Sequence, residues 1–414
     1  MAMALHKYVH DLGTAIDDKD GQLFRDMLIQ EHNISMLEAL VENPVSITQP
    51  FIVRCLGPAL LDEGQREWVQ FITGHVQSML AAHRMEWVDA YDYLADVISD
   101  WLEIFRADPI GWTKDPMRQV TLNLENFATF ADTAMNRRSE NRQKGVLAGK
   151  TLQNVFGATC NSKEREKRLV SLHVANVFFK VHFKLNMLQM CKHLIKTFQT
   201  ATFNLDEFPL ADRVTYSYYA GKLALVEQEY REAKEHLEYA YKWCMRVAEG
   251  NVRKILKCLI PLRMLGGVPP TRALLEKYRL GVYIELADAM RNSNIGKFEL
   301  AVKANRSAFV KMDTSLLVER LKFVSYRQIL RVVVRVHNEM VSKERRNKVP
   351  LVNFVVAMKL KGADISMNDA LCIMASMISQ NYLKGYVSFS HKQLVLAPDP
   401  FPGFDEIQHA VMEL

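Results

Sequence analysis

Hydrophobic residues recur every three or four positions along almost the whole chain, a spacing that predicts amphipathic helices. The period-two alternation typical of a strand occurs at one place, in residues 386–390 and the returning residues 394–396. No β structure is predicted before residue 386. The pattern therefore predicts a mainly α-helical protein with one small β-hairpin near the end of the sequence.

The stretch from Leu321 to Leu396 has the order of a winged helix. A helix predicted over 321–337 is followed by a second over 351–360, which begins after a proline. Ser366 is a typical N-cap for a third helix, at the position where a recognition helix would lie. The hairpin then forms the wing. Such a module can contact nucleic acid, or it can serve only to stack subunits.

The first of these helices has an apolar and a basic face. The apolar positions that we expect to face a core are Phe323, Tyr326, Leu330, Val333 and Met340. On another face, Arg327, Arg331 and Arg335 follow each other at i, i+4. We therefore expect a cationic surface along this helix.

Small residues predict helical hairpins upstream of the winged helix. Gly221, Ala233 and Ala240 stand 12 and then 7 residues apart, with Leu237 between them. This spacing matches the positions at which the two helices of a tetratricopeptide-type hairpin touch, where a larger side chain would push them apart. The fold class expected is a right-handed helical stack capped by a winged helix.

The N-terminal part is predicted to be helical, with its aromatic residues in a core. The polar stretch 137–145 is predicted to be a solvated linker. The predicted domains are an acidic helical region over 1–150, a helical-repeat part over 151–320, a winged helix over 321–400 and a tail over 401–414.

Charge is distributed unevenly along the chain. Residues 1–150 contain 14 basic and 22 acidic residues, whereas residues 151–414 contain 39 basic and 25 acidic ones. Between residues 320 and 361 the only acids are Glu339 and Glu344, an imbalance that indicates a polyanionic or acidic partner. The candidate nucleic-acid-binding residues are Arg320, Lys322, Arg327, Arg331, Arg335, Arg345, Arg346, Lys348, Lys359, Lys361, Lys384 and Lys392.

The hairpin supplies a candidate surface for protein partners. Its apolar residues Tyr386, Val387 and Phe389 would matter if two winged helices met side by side, because such modules extend one sheet or bury one hairpin edge.

The sequence provides no convincing catalytic, metal or cofactor site. Residues 145–151 resemble a phosphate-binding loop, but the glycines are one residue too close and no apolar strand precedes them. His6 and His10 have helical i, i+4 spacing without a third ligand for zinc. We therefore predict a protein that is not an enzyme, with no catalytic residues, metal or cofactor.

The six cysteines are dispersed and include no Cys-x-x-Cys pair, which fits a reducing compartment. The first residues lack the pattern of a secretory or transit peptide, and no 18 apolar residues run uninterrupted, so membrane insertion is not expected. These features favour a cytosolic or nuclear protein.

Five segments carry a resemblance to a known family: Arg213–Gly221, Lys254–Gly266, Tyr326–Leu330, Lys384–Ser388 and Asp399–Pro402. Together with the order of hairpins and winged helix, they resemble the PCI domain shared by the proteasome lid, the COP9 signalosome and the translation-initiation scaffold. The resemblance runs from about residue 10 to the end and is greatest to the PCI subunit of the nuclear-pore-associated transcription-and-export complex.

The resemblance implies a non-enzymatic adaptor for messenger RNA export, in the nucleus and at the nuclear pore, with some in the cytoplasm. The partners that it implies are a large PCI-like export scaffold of the germinal-centre-associated nuclear protein type, a small acidic disordered protein of the DSS/Sem type, nuclear pore components, and RNA and possibly DNA. The scaffold would pair through its winged helix, and the complex would form a basic platform for nucleic acid.

An alternative hypothesis is a purely structural PCI subunit of a proteasome-lid, signalosome or translation-initiation type of assembly. Its basic face would then be covered by protein partners, without nucleic-acid contact. Composition and spacing leave both hypotheses open.

Overall fold

The computed structural model describes residues 2–42, 47–56, 66–137, 143–200, 204–403 and 407, and most of them are helical. The predicted fold class, a mainly α-helical protein that ends in a winged helix, is confirmed. The chain divides into two compact units, Met1–Tyr216 and Ser217–Leu414. The boundary falls inside one helix, α13. In the described ranges no helix combines the length and apolar character needed to cross a bilayer.

In its described ranges the first unit consists mainly of helices. They are α1 (Ala2–Asp17), α2 (Gly21–Met27), α3 (Ile34–Glu42), α4 (Gln49–Leu56), α5 (Arg66–His83), α6 (Trp87–Asp96), α7 (Ile98–Ala107), α8 (Lys114–Arg137), α9 (Lys144–Cys160), α10 (Arg165–Arg168), α11 (Ser171–Lys184), α12 (Leu188–Thr200) and α13 (Leu210–Val226), which continues into the second unit. Helix α8 lies among α2, α6, α9 and α11.

Aromatic side chains form part of this unit's core, as the sequence predicts. Phe71 and Trp101 are 0% exposed, and their ring centroids are 4.6 Å apart. Phe24, also 0% exposed, stacks on Trp101 at 6.2 Å. Large rings buried against each other remove more apolar area from water than aliphatic side chains do, which stabilises this helical layer.

The predicted linker over 137–145 is only partly described, because residues 138–142 lie outside the described residues. Its end is helical, since Lys144 begins α9. Asp132 on α8 accepts hydrogen bonds from the backbone N–H groups of Lys144 and Gly145, both at 3.0 Å. The segment that resembles a phosphate-binding loop is therefore a helix whose first amide groups already have a carboxylate partner.

The second unit continues with helical hairpins and ends in the winged helix. Its elements after α13 are α14 (Tyr230–Trp243), α15 (Glu249–Leu265), α16 (Arg272–Lys277), α17 (Ile284–Arg291), α18 (Ile295–Ala304), α19 (Arg306–Lys311), α20 (Ser315–Met340), β1 (Lys348–Pro350), α21 (Leu351–Leu360), α22 (Met367–Ser379), β2 (Gly385–Ser388) and β3 (Gln393–Leu396). The long helix α20 contacts α15, α18 and α19 of the stack and α21 of the winged helix.

The predicted small-residue contact joins α13 to α14. A Cβ atom at Gly221 would lie 2.8 Å from Cγ of Leu237 and 3.2 Å from the carbonyl oxygen of Ala233. Ala233, Leu237 and Ala240 are all 0% exposed. The hairpin therefore closes because residue 221 has no side chain.

The sheet of the winged helix has three antiparallel strands in the order β1–β3–β2. The expectation of no β structure before residue 386 is wrong, because residues 348–350 pair with β3 in the register Lys348 to Val395. A three-residue strand is too short to show an alternating pattern of apolar and polar residues. Strand β1 forms because residues 348–350 pair with β3. The backbone N–H of Leu396 donates to the carbonyl oxygen of Asn347 at 2.8 Å, which continues the pairing.

Two helix starts confirm the predicted order of the module. Pro350 is the N-cap of α21, and Ser366 is that of α22. Ser366 and Asp369 form a reciprocal capping box, with the Asp369 N–H donating to Oγ of Ser366 at 3.2 Å and the Ser366 N–H donating to the Asp369 carboxylate at 2.8 Å.

The apolar face predicted for α20 is correct except at its end. Tyr326, Leu330 and Val333 are buried, and half-buried Phe323 stacks on Tyr382 with ring centroids 5.5 Å apart. Met340 is 81% exposed, so its assignment to the core is wrong. It is the last residue of α20, and the chain turns away there towards β1.

We expect Gly221→Ala to destabilise the second unit by about 1–3 kcal/mol, because the added Cβ overpacks the contact with Leu237. Gly250→Ala is the matched control, since it also lies in a helix but its Cβ would meet no atom within 4 Å. The control should be neutral or slightly stabilising. Urea unfolding of the three proteins measures both changes, and equal stability of the two variants would contradict the close approach.

Candidate nucleic-acid and partner surfaces of the winged helix

Six of the predicted basic residues are exposed at one end of the winged helix. They come from the second half of α20, from the segment that leads into β1 and from the turn between β2 and β3. We call this set the basic surface; its members are Arg331, Arg335, Arg345, Arg346, Lys348 and Lys392.

One side-chain contact and several backbone contacts hold the three parts of the basic surface together. The ring nitrogen Nε2 of His337 on α20 lies 3.3 Å from the carbonyl oxygen of Arg345. Lys348 opens β1 opposite Val395 of β3. The backbone N–H of Leu351 donates to the carbonyl oxygen of Lys392 at 3.0 Å. The charges therefore lie on rigid elements and on a loop tied to them.

The basic surface is not neutralised within the described part of the chain. None of its six side chains forms an ion pair with a described carboxylate, although other cations of this unit do. Cations that share one surface raise the local potential and attract anions. This arrangement is suited to phosphate groups or to an acidic protein segment.

Arg327 does not belong to that surface. It is 3% exposed, and its guanidinium donates a hydrogen bond to the carbonyl oxygen of Pro402. The guanidinium carbons of Arg327 and Arg331 each lie 5.8 Å from the ring centroid of Phe401. Burial lowers the pKa of Arg327, and the neighbouring charge of Arg331 lowers it further. The prediction that Arg327 contributes to an exposed cationic row is wrong, because the segment after β3 covers this part of α20.

The remaining predicted cations lie elsewhere, and most have partners within the chain. Arg320 donates to Oε1 of Gln228 at 3.1 Å, Lys322 pairs with Glu299, and Lys361 donates to the carbonyl oxygen of Asn292 at 3.0 Å. Lys384 is half-buried, and Lys359 is exposed. Lys359 and Lys361 lie at the C-terminal end of α21, about 15 Å along that helix from β1.

Helix α22 occupies the position of a recognition helix but contains no cation. Its sequence from Met367 to Ser379 has Asp369 as its single charged residue. Recognition helices that enter a DNA groove approach two rows of phosphates and contact base edges with polar or basic side chains. The cations lie on α20 and around β1 instead, which favours contacts with phosphates over recognition of base sequence.

The hairpin presents an unpaired strand edge and two exposed rings. Strand β2 is an outer strand of the three-stranded sheet and pairs with β3 alone among the described strands. Tyr386 is 63% and Phe389 65% exposed, while Val387 is half-buried. A free edge beside exposed aromatic side chains is suited to a protein partner.

A second apolar surface was not predicted from the sequence. It consists of two rows, each spaced i, i+4, i+8 along neighbouring helices. We call it the apolar double row; its members are Val332, Val336 and Met340 on α20, and Val352, Val356 and Leu360 on α21. Their exposed fractions lie between 47% and 81%.

The apolar double row ends at a cavity of about 710 Å³ between the hairpin stack and the winged helix. Val332, Ala357 and Leu360 line it together with Gly267 and Met290. The sequence signal that could have revealed this surface is the composition of α21, which is apolar on almost every side. A helix of that kind is buried all round or docks on a partner, and here only one face is buried.

The chemistry of the described residues adds no site for a bound metal ion. No group of three or more His, Cys, Asp or Glu side chains in the described ranges is arranged to hold one. What the winged helix offers is charge, a strand edge and exposed apolar area.

No family model matches the chain. Among curated proteins, PCI domain-containing protein 2 of Danio rerio is 27% identical over 416 residues, which cover 98% of this chain and 99% of that protein. A homologue of the same protein from Drosophila melanogaster is 33% identical over 243 residues, 58% of this chain and 60% of that protein. Protein CSN12 homolog of Neurospora crassa is 28% identical over 358 residues, covering 78% and 79%.

A stack of helical hairpins that ends in a winged helix defines a PCI-domain protein, and the relatives agree with that class. Within it, the chain is similar over most of its length to several proteins named PCI domain-containing protein 2 or its homologue.

We expect Arg327→Ala to lower the free energy of unfolding by about 1–3 kcal/mol, because the carbonyl group of Pro402 and the ring of Phe401 would lose a buried partner. Arg335→Ala is the matched control on the same helix. It is exposed, so its effect should stay within about 0.5 kcal/mol. Chemical unfolding measures both, and an Arg327 variant as stable as the control would contradict the buried contact.

Proposed function

We propose that this protein is a non-enzymatic adaptor subunit of a messenger-RNA-export complex, and that its basic surface contacts the backbone of nucleic acid. The observation that carries the proposal is the set of six exposed cations, held by rigid elements and without an ion-pair partner in the described part of the chain. In this proposal the protein acts in the nucleus and at the nuclear pore, and a part of the protein is in the cytoplasm.

The expected mode of binding is independent of base sequence. Lysine and arginine side chains that neutralise phosphates release condensed counterions, so the affinity falls with salt by a log–log slope of about 0.7 per phosphate on a single strand. Helix α22, which would have to recognise bases, has no cation to offer. Direct contacts to base edges are not required for such a platform.

The partner surfaces in this proposal are the hairpin edge and the apolar double row. The free edge of β2 would meet the winged helix of a large PCI-like export scaffold of the germinal-centre-associated nuclear protein type. A small acidic disordered protein of the DSS/Sem type would be attracted by the cations, and nuclear pore components would bind the assembled complex. Exposed apolar rows of this size are unusual on the surface of a protein that has no partner.

We expect the double charge reversal Arg345→Glu with Arg346→Glu to weaken binding of single-stranded RNA by the purified complex. The salt slope should flatten by about 1.4 if both side chains neutralise one phosphate each. Fluorescence anisotropy of a labelled oligonucleotide at several salt concentrations measures affinity and slope together.

The matched control is Lys303→Glu with Arg306→Glu, which makes the same change in net charge at exposed positions of α18 and α19. The control should change RNA affinity much less, since those residues lie outside the basic surface. Equal effects of the two double variants would show that only net charge matters, and an unchanged affinity of the first would count against the proposal.

A second candidate function is that of a structural PCI subunit whose basic surface meets only protein. It is favoured by the apolar double row and by the similarity of the chain to Protein CSN12 homolog of Neurospora crassa. In that case the reversal at Arg345 and Arg346 would release a protein partner and leave RNA binding unaffected.

We expect Tyr386→Ser with Phe389→Ser to reduce the amount of scaffold recovered with the tagged protein, while stability changes by less than about 0.5 kcal/mol because both rings are exposed. Val336→Ser with Val356→Ser makes the corresponding change in the apolar double row. Quantitative co-purification from cells measures both. If neither variant loses a stoichiometric partner, the assignment of the winged helix as the docking module is wrong.

A further inference from the structure

The corner between α14 and α15 exposes an unusual group of apolar side chains. Trp243 is 46%, Met245 70% and Val247 87% exposed, although the intervening Cys244 is buried and holds the corner to the helices. Its backbone N–H donates to the carbonyl oxygen of Ala240 at 3.0 Å. We call residues 239–247 the Trp243 corner. Its apolar side chains are thus displayed by a well-anchored turn.

Cations accompany the rings of the Trp243 corner. The guanidinium carbon of Arg246 lies 4.3 Å from the ring centroid of Tyr241, and that of Arg263 lies 5.0 Å from the same ring. Arg263 is fixed further by a hydrogen bond from its Nε to Glu238 at 2.7 Å. Arg246 itself is exposed. Tyr241 therefore supports a guanidinium group that has its outer side open to solvent.

Trp243 has a cation of its own. The ammonium nitrogen of Lys242 lies 5.2 Å from its ring centroid. Along the following helix the exposed Arg253 and Lys254 add further positive charge, and Glu249 is the one acid between residues 239 and 257. One exposed indole, two exposed guanidinium groups and two ammonium groups therefore occur between residues 242 and 254.

We propose that the Trp243 corner binds single-stranded RNA, with a base stacked on the indole of Trp243 and a second base on the guanidinium of Arg246. Lys242 and the cations that begin α15 would contact the adjoining phosphates. Single strands offer unpaired bases for stacking on aromatic rings and arginine planes, whereas a duplex keeps its bases inside. In this arrangement the indole and the guanidinium would stack on bases, and the other cations would contact the phosphates of the same strand.

The same residue types also occur where proteins touch membranes, but the geometry favours RNA. The cations lie beside the rings at 4.3 Å and 5.2 Å, so insertion of these rings into hydrocarbon would carry the charges with them. A stacked nucleotide places its phosphate at the edge of the base, where the cations remain in water. Binding to lipid vesicles is therefore the competing outcome of the test.

The Trp243 corner and the basic surface have no residue in common and lie on different elements of the second unit. Helix α14 runs for 14 residues from Tyr230 to Trp243, which is about 20 Å. Arg320 of α20 stands at the other end of that helix, with its guanidinium carbon 5.4 Å from the ring of Tyr230. The inference rests on the proposed function for its setting in RNA export, but its binding test is independent.

The experiment measures binding of labelled oligouridylate and oligoadenylate to the full-length chain by anisotropy. We expect Trp243→Ala to weaken binding by about 5- to 150-fold, the range of one lost base–aromatic stack, with an unchanged salt slope. Trp243→Phe should retain most of the affinity. Arg246→Gln should lower the affinity and flatten the slope by about 0.7, if it also neutralises a phosphate.

The matched control is Tyr93→Ala, an aromatic residue of similar exposure, 42%, on α6 beside acidic residues. It should leave RNA binding unchanged. Thermal unfolding of every variant shows whether the fold is intact. Trp243→Phe keeps an aromatic ring at this position, so retained binding by this variant shows that the loss in Trp243→Ala comes from the missing ring.

Four outcomes separate the hypotheses. If Trp243→Ala weakens RNA binding and Arg345→Glu with Arg346→Glu does not, the inference holds and the proposed function of the basic surface fails. If only the charge reversal matters, the inference fails and the proposed function stands. Equal RNA affinity of Trp243→Ala and the unaltered chain overturns the inference. So does binding to vesicles of phosphatidylcholine and phosphatidylserine that is lost in Trp243→Ala while RNA affinity is unchanged.

Discussion

Six positive charges lie together at the end of the winged helix, and no described carboxylate forms an ion pair with them. The repulsion among these charges is the basis of the binding proposed for this protein. Like charges held close together raise the free energy of the isolated surface and lower it when an anion arrives. The cost is small while each side chain is solvated, since water and salt screen the charges over about 10 Å. The surface is therefore expected to be stable alone, and a bound polyanion would stabilise it further.

Helix α20 helps to hold these charges together because it belongs both to the hairpin stack and to the winged helix. The first part of the helix packs against the hairpin stack and carries Arg327 into the interior, where Phe401 and Pro402 cover it. Arg331 and Arg335 on the last turns are exposed, and His337 beside them contacts the segment that leads into β1. Because one rigid helix belongs to both subdomains, the stack and the basic surface have a fixed relation within the second unit.

The same helix also contributes to the apolar double row, so charge and apolar area alternate around it. Arg331 and Arg335 precede Val332 and Val336 by one position each, which turns them by about 100° around the axis. A protein partner that covers the valines would therefore approach without having to remove the arginines from water. In the proposed function, nucleic acid and a protein partner would therefore be bound by adjoining sides of α20.

Features encoded by a few neighbouring residues could be predicted from the sequence. The capping box of Ser366 with Asp369, the start of α21 after Pro350 and the close contact at Gly221 each depend on local chemistry or on fixed spacing. What the sequence did not reveal depends on distant partners. Strand β1 exists through its pairing with β3, and Arg327 is buried because residues some 75 positions later fold over it. The apolar double row was missed since a helix that is apolar on every side does not show which side is left exposed.

The most direct test of nucleic-acid binding by the basic surface is ultraviolet crosslinking of single-stranded RNA to the purified complex, followed by identification of the crosslinked peptides. Crosslinks are expected in the segments that carry the basic surface, residues 331–348 and the turn at Lys392. Crosslinks that avoid both segments, on a protein that binds RNA, would contradict binding by the basic surface.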